Sequence, residues 1–384
     1  MRSALPVLTL ALVAAPLLGG CAVPPPDLSP APTVPTSEVE GVQPAGMPTD
    51  VVTGLRAPWS VITYPGSNGD PVTLVSQRDD ATVLILHPSS SGPKGSMTPQ
   101  VLGTVPGVAS GGEGGLLGLA HLRVEGTPSS WLYAYETTSD DNRIIRLPLD
   151  GDGEFGSGAE VVLSGLAKAS NHNGGRIAFG PDGMLYATVG DAGDPDSAQD
   201  PGSPNGKILR MTPAGEVPAD NPTPGSLVYS MGHRNPQGLA WDADGQLWAA
   251  EFGQDTWDEF NRIEPGGNYG WPIVEGVGEQ DGYIDPWAQW PTDEASPSGL
   301  TYIDGTFFLA SLRGERLWAI YVDEESGIAD PVAWFPGEYG RLRDVAPGPD
   351  GSLWMMTNNT DGRGDPRTGD DRILLVRLTE LVEG

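Results

Sequence analysis

Arg176-Ile-Ala-Phe-Gly-Pro-Asp-Gly-Met-Leu-Tyr-Ala-Thr-Val-Gly-Asp191 holds a short apolar run, a Pro-Asp-Gly turn and a second apolar run that stops at an aspartate. Glycine after aspartate supplies the positive φ that a tight turn needs. The flanking runs are rich in β-branched and aromatic residues, as half-buried strands are. The same order recurs along the chain. Copies start near Trp59, Leu116, Arg176, Gly238, Gly299 and Asp344. Most starts lie roughly 60 residues apart, and the last pair is closer. Asp182-Gly183, Asp244-Gly245, Asp304-Gly305 and Asp350-Gly351 mark the hairpin turns. No stretch keeps a helical period, so strands do not alternate with helices and a parallel α/β fold is not expected. Repeated units of three or four antiparallel strands fit a closed ring of sheets, which leaves only short edges. A β-sandwich is the competing arrangement, but it needs no regular repeat. Six copies predict an all-β, six-bladed β-propeller. Its loops converge on a central channel, where a ligand finds a concave site.

Composition agrees with many short strands. The chain has 384 residues with 54 Gly and 38 Pro, and its 38% hydrophobic content with 11 Trp can fill a large core. The net charge of −30 argues against nucleic acid as a partner, since phosphate binding needs basic patches. The N-terminus reads as a processing segment. Arg2 precedes an apolar run from Leu5 to Leu18, too short to span a bilayer as a mature helix. Leu18-Gly19-Gly20-Cys21 closes it, and Cys21 is the chain's one cysteine, so no disulfide framework is possible. The pattern resembles a bacterial lipobox, with residues 1–21 as signal peptide and Cys21 as the lipidated new N-terminus. That predicts an extracytoplasmic lipoprotein anchored to the cell membrane. Residues 22–48 are rich in Pro, Ser and Thr and predict a disordered tether. The propeller is expected over 49–384.

Three groups of residues point to chemistry. His172 is one of four histidines and sits in the Gly-rich loop Asn171-His-Asn-Gly-Gly-Arg176. A neutral imidazole accepts protons near pH 7, and Asp191 ends a strand that pairs back toward it. A turn histidine bonded to backbone is the plain alternative. Arg234, Arg313, Arg341 and Arg343 stand at loop or strand-edge positions of corresponding kind, in a chain with 51 acidic and 21 basic residues. If they cluster, they predict an anionic small molecule in the channel; if not, they are surface ion pairs. Glu251 to Glu259 and Gly266 to Pro272 mix carboxylates with glycines, whose accessible carbonyls suit a hard cation such as Ca²⁺. A solvated acidic loop is the alternative there. No G-x-S-x-G elbow occurs, and no G-x-G-x-x-G leads from a strand into a helix.

Taken together, Glu113-Gly-Gly-Leu-Leu-Gly118, His172-Asn-Gly-Gly-Arg176, Gly190-Asp191, Arg234-Asn-Pro-Gln-Gly238, Gly266-Gly-Asn-Tyr-Gly-Trp-Pro272 and Arg341-Leu-Arg-Asp344 resemble the soluble quinoprotein sugar dehydrogenases. The likeness is to the aldose sugar dehydrogenase branch, six-bladed propellers that use pyrroloquinoline quinone (PQQ), and it runs from about residue 50 to the C-terminus. It implies His172 as catalytic base with Asp191 as partner. It implies that Glu113, Arg234, Asn235, Arg313, Arg341 and Arg343, and more loosely Gln199, meet the quinone or sugar. Carbonyls of Gly253 and Gln254 would hold the catalytic Ca²⁺, and Glu259 with the Tyr269 carbonyl a second one. Glu113 stands where the best-known glucose enzymes have glutamine, Asn171 where they have aspartate, and Gln254 where they have proline. The implied reaction oxidises an aldose to a lactone and passes electrons to an external acceptor. A recognition propeller and a Ca²⁺-dependent lactonase-like propeller are the other readings.

Overall fold

Each repeat read from the sequence is one antiparallel sheet of a β-propeller. The computed structural model describes Met1 and residues 41–124, 129–150, 154–155 and 158–381. The predicted signal peptide with Cys21, and the predicted tether up to residue 40, lie outside the described residues. Among the described residues the strands form six sheets, each built outward from the channel. Blade 1 comprises Pro58–Pro65, Pro71–Gln77, Thr82–Pro88 and Met97–Thr104. Blade 2 comprises Leu116–Arg123, Ser130–Thr137, Asn142–Asp150 and Glu160–Leu166, with the short Glu154–Phe155 added to its third strand. Blade 3 is Ile177–Phe179, Leu185–Val189, Lys207–Met211 and Val228–Met231. Blade 4 is Pro236–Trp241, Leu247–Glu251, Trp257–Arg262 and Ala288–Pro291. Blade 5 is Pro297–Ile303, Thr306–Ser311, Leu317–Asp323 and Ile328–Trp334. Blade 6 takes Leu342–Pro347, Leu353–Thr357 and Ile373–Glu380 from the C-terminal end. Its fourth strand is Val42–Val52, from the other end of the chain.

That last strand corrects one boundary. Val42 to Pro48 falls within the expected tether, whose composition is rich in Pro, Ser and Thr. In the fold this stretch is the outer edge of blade 6, paired antiparallel with Ile373–Glu380. Proline is tolerated on an edge strand, where its missing N–H faces no neighbour, and it discourages pairing with another chain.

The core lies between blades. Six apolar clusters fill six seams, each joining neighbouring sheets. Phe308, Leu317 and Leu353, Met355 close the seam of blades 5 and 6, for example, all fully buried. Inner strands of most neighbouring blades approach closely. At Gly238 that approach excludes any side chain, since a Cβ would come within 2.5 Å of the Ser298 carbonyl oxygen.

The inner strands share a second feature. Register shifts near their starts occur at Pro58/Ser60, Leu116/Leu119, Pro236/Gly238, Pro297/Leu300 and Leu342/Asp344. A bulge re-aims the side chain it carries. The bulged residues of blades 1, 4 and 6 are Trp59, Gln237 and Arg343, and all three line the same cavity.

The closing strand is pinned to blade 5 as well as to blade 6. The Val42 N–H donates to Thr306 Oγ1 at 2.9 Å, and that hydroxyl donates to the Val42 carbonyl at 2.8 Å. Thr306 is fully buried. Thr306→Val is therefore expected to lower the unfolding free energy by about 1–3 kcal/mol, because it leaves two buried backbone groups unpaired. Thr306→Ser should recover most of the loss. Urea unfolding of the two variants checks this.

Candidate active site

Inner strands start, and second strands end, at one mouth of the channel. There a cavity of about 280 Å³ opens. His172 reaches it from the loop before blade 3. Its backbone is left-handed, with φ +56°. Such a conformation is uncommon for a residue with a side chain and persists where the surroundings fix it. Its N–H donates to Glu113 Oε2 at 3.0 Å, and its carbonyl accepts the Ala192 N–H at 3.1 Å.

The imidazole is held at both nitrogens. Nδ1 lies 2.7 Å from Asp191 Oδ1. Nε2 lies 2.7 Å from Nη2 of Arg234. A guanidinium only donates, so Nε2 must offer its lone pair, and the proton of the ring sits on Nδ1 facing Asp191. His172 is thus presented as a neutral base with its basic nitrogen toward the cavity. Asp191 is buried and also accepts from the Trp271 indole N–H at 2.9 Å and the Gly193 N–H at 2.8 Å. Burial pushes its carboxyl up, but His172 and these donors outweigh that and hold it below the usual range.

Arg234 is fixed from behind. Glu251, at the end of blade 4's second strand, accepts the backbone N–H of Arg234 and binds Nδ1 of His233 at 2.7 Å. Gln254 Oε1 accepts from Arg234 Nε at 2.9 Å and Nη2 at 2.6 Å. The Gln254 loop is folded around one carboxylate oxygen, Glu275 Oε1. It accepts the N–H groups of Gln254, Asp255, Thr256 and Trp257 at 2.7–3.2 Å.

The opposite wall is cationic. Arg341 and Arg343 flank Asp361 at 3.2 and 3.9 Å. Arg343 also donates to Gln237 Oε1 at 2.9 Å, and its guanidinium lies 5.8 Å from the Trp59 ring centre. Burial pushes the Arg343 guanidinium down to about 9, Asp361 opposes this, and Arg341 and Arg78 add to it. The Nε atoms of Arg341 and Arg343 are buried without a hydrogen-bond partner. With Arg78, Arg234, Arg313 and Arg363, six arginines line the cavity. Such a wall suits a planar anion with several carboxylates.

The sequence-predicted residues divide as follows. His172, Glu113, Arg234, Asn235, Arg313, Arg341, Arg343, Gly253 and Gln254 all line the cavity, and Asp191 touches it through His172. Gln199 does not line it. Its amide exchanges bonds with the Asn268 side chain and donates to the Trp271 carbonyl at 2.7 Å. It steadies the loop that carries Trp271. Glu259 and Tyr269 also lie off the cavity lining. Glu259 is buried and accepts from Gly276 N–H at 2.7 Å and Asn261 at 3.0 Å; burial and Glu251 push its carboxyl well above the usual range. The Tyr269 hydroxyl donates to the Arg262 carbonyl at 2.6 Å. Reading by motif missed Arg78, Arg363, Asp361, Trp59 and Gln237. Arg78 directly follows the second strand of blade 1, as Asp191 nearly follows that of blade 3, so the repeat itself carried that signal.

The sequence model of the family described as Glucose / Sorbosone dehydrogenase matches residues 55–375. The solved PQQ-bound aldose sugar dehydrogenase of Streptomyces coelicolor is 50% identical, with a TM-score of 0.80, covering 91% of this chain and 100% of that one. The aldose sugar dehydrogenase YliI of Escherichia coli is 28% identical, over 80% of this chain and 89% of its own. An uncharacterised protein of Synechocystis is 31% identical, over 86% of this chain and 89% of its own.

Nitrogen-15 NMR of the imidazole is expected to show His172 as the Nδ1–H tautomer. Asp191→Asn should weaken that preference, since an amide facing Nδ1 can donate as well as accept while Arg234 still donates to Nε2. An unchanged tautomer in the variant would remove Asp191 as its cause.

Proposed function

The chain belongs to the glucose/sorbosone dehydrogenase family, and from that premise we propose that it oxidises aldose sugars at the anomeric carbon to lactones, with PQQ and Ca²⁺, as an oxidoreductase acting on CH–OH groups. The observation that carries this reading is the meeting of six guanidinium groups and the His172–Asp191 pair in one cavity. The buried, unpartnered Nε atoms of Arg341 and Arg343 fit a tricarboxylate such as PQQ. Arg341, Arg343, Arg313 and Arg234 would hold it, with Trp59 and Asn235 beside them. Gly253 fits a carbonyl ligand of Ca²⁺ in one respect: a Cβ there would meet the Trp257 carbonyl oxygen at 1.8 Å, so the tight fold of this loop requires glycine. Gly253 and Gln254 would present their carbonyls to that ion, and Glu259 with Tyr269 would serve a second.

PQQ held there with Ca²⁺ would supply the two-electron acceptor for the hydride of the sugar's C1. His172 Nε2 removes the proton of the anomeric hydroxyl. Arg234 must yield its contact with Nε2 for the sugar hydroxyl to reach it. Asp191 stabilises the imidazolium that results, and Trp271 and Gly193 keep that carboxylate in place. The C1–H pair leaves as hydride, the hydroxyl proton rests on His172, and C1–O becomes the carbonyl of the lactone. An external acceptor would take the electrons onward. A lipid anchor at Cys21 would hold the propeller at the outer face of a membrane, near a respiratory acceptor.

A lactonase-like reading needs several side-chain carboxylates converging on a metal. Among the described residues no group of three or more His, Cys, Asp or Glu is placed for that. A pure recognition propeller has no use for a base whose tautomer is fixed.

Titration of the purified chain with PQQ and Ca²⁺ is expected to give saturable spectral change and dye reduction with aldoses. His172→Ala should keep PQQ binding and lose about 10²- to 10⁴-fold in turnover. Arg343→Met should weaken PQQ by about tenfold or more. Absence of any spectral change on adding PQQ would end the quinone reading.

A further inference from the structure

Arg363 stands in the excursion between the second and third strands of blade 6, and Glu113 in the loop before blade 2. Their side chains meet across the cavity mouth, Arg363 Nη1 to Glu113 Oε1 at 2.8 Å. Arg363 is 56% exposed and Glu113 22%. Both are anchored to the site. The other Glu113 oxygen holds the N–H of His172, and Arg363's own N–H donates to Asp361 Oδ1 at 2.9 Å. Asp361 is also the counter-ion of Arg341 and Arg343. The pair therefore lies one residue from the base and one residue from the arginine wall. Burial raises the Glu113 carboxyl, but Arg363 and the His172 N–H hold it below the usual range, so the pair is ionised at neutral pH.

We propose that the Glu113–Arg363 ion pair sets the charge that an incoming sugar meets, so that the site selects uncharged aldoses over both uronic acids and amino sugars. This rests on the aldose-oxidation reading above. The charge balance supports it. At the cavity mouth Glu113 and Arg363 answer each other's charge at 2.8 Å, and Asp361 is already answered by Arg341 and Arg343. Any charge on the sugar then has no counter-ion. Breaking the pair from either side uncovers one charge, and the two sides have opposite sign.

The test uses Glu113→Gln and Arg363→Gln with D-glucose, D-glucuronate and D-glucosamine. Glutamine keeps the size of Glu113 and an oxygen for the His172 N–H. Turnover of the PQQ-loaded protein is read as kcat/KM. Sugar dissociation constants are read separately from tryptophan fluorescence of the cofactor-free chain, so a failure of the quinone reading does not silence the result. Glu113→Gln is expected to shift the glucuronate-to-glucosamine ratio about tenfold toward glucuronate, and Arg363→Gln about tenfold toward glucosamine. Both shifts should shrink as salt is raised. Equal losses for all three sugars, or ratios that move in the same direction in both variants or not at all, overturn the proposal.

Discussion

A single buried guanidinium ties the ring together at its axis. Arg176, from blade 3, donates to Asp344 of blade 6 at 3.0 Å and to the Gln237 carbonyl of blade 4 at 2.9 Å. It reaches Ser60 Oγ of blade 1 at 3.4 Å and lies 4.5 Å from the centre of the Trp59 ring. Asp344 in turn accepts the Val61 N–H of blade 1 at 2.9 Å. The Nη2 of Arg176 is buried without a hydrogen-bond partner, so its hold on Gln237 and Asp344 rests on Nε and Nη1, and losing one partner of a buried charge pair costs about 3–5 kcal/mol. Four blades must therefore be in register at once to satisfy it. The same contacts set the cavity's inner end. Trp59 and Gln237 are held by Arg176 on one side and present themselves to Arg343 on the other.

From that floor outward, several groups facing the cavity are held by ones that do not face it. Asp191 orients His172, and Trp271 braces Asp191. Gln199 braces the Trp271 backbone. Glu251 fixes the backbone at Arg234, and Glu275 gathers the loop that offers Gln254 to it. Chemistry in a water-accessible cleft requires geometry held before the ligand arrives, because reorganisation at the moment of reaction is costly. The left-handed backbone of His172 fits this picture: its energetic cost is met by Glu113 and by the Gly190–Ala192 turn.

Much of this was legible in one chain. Six copies of strand, turn and strand predicted six sheets, and the ends of the second strands pointed to Asp191 and Arg313. Only at Asp304-Gly305 does a two-residue turn with both φ values positive close the hairpin; the other Asp-Gly turns are longer, with glycine alone in the positive region. What stayed hidden has physical causes. Trp59 and Gln237 enter the channel through bulges, and a bulge breaks the alternation that separates inward from outward positions. Arg363 meets Glu113 only because the ring brings blades 6 and 2 to one mouth. Gln199 entered only through a loose likeness to the family, and its amide bonds to Asn268 and Trp271, which no motif announces. The strand Val42–Val52 has no partner nearby in the chain, so its prolines read as linker.

Blade 6 is assembled from both ends of the polypeptide, and this ordering has a temporal consequence. During synthesis the segment around Val51 and Val52 emerges among the earliest of the propeller, while its mate at Ile373–Glu380 is made last. At roughly 5–20 residues per second the wait runs to tens of seconds. Throughout it the nascent ring has an open gap, with blade 1 lacking its neighbour on one flank. A ribosome-bound intermediate of this kind offers unpaired backbone to any passing strand. Pro44 and Pro48 on the waiting segment lack the N–H that such pairing would use.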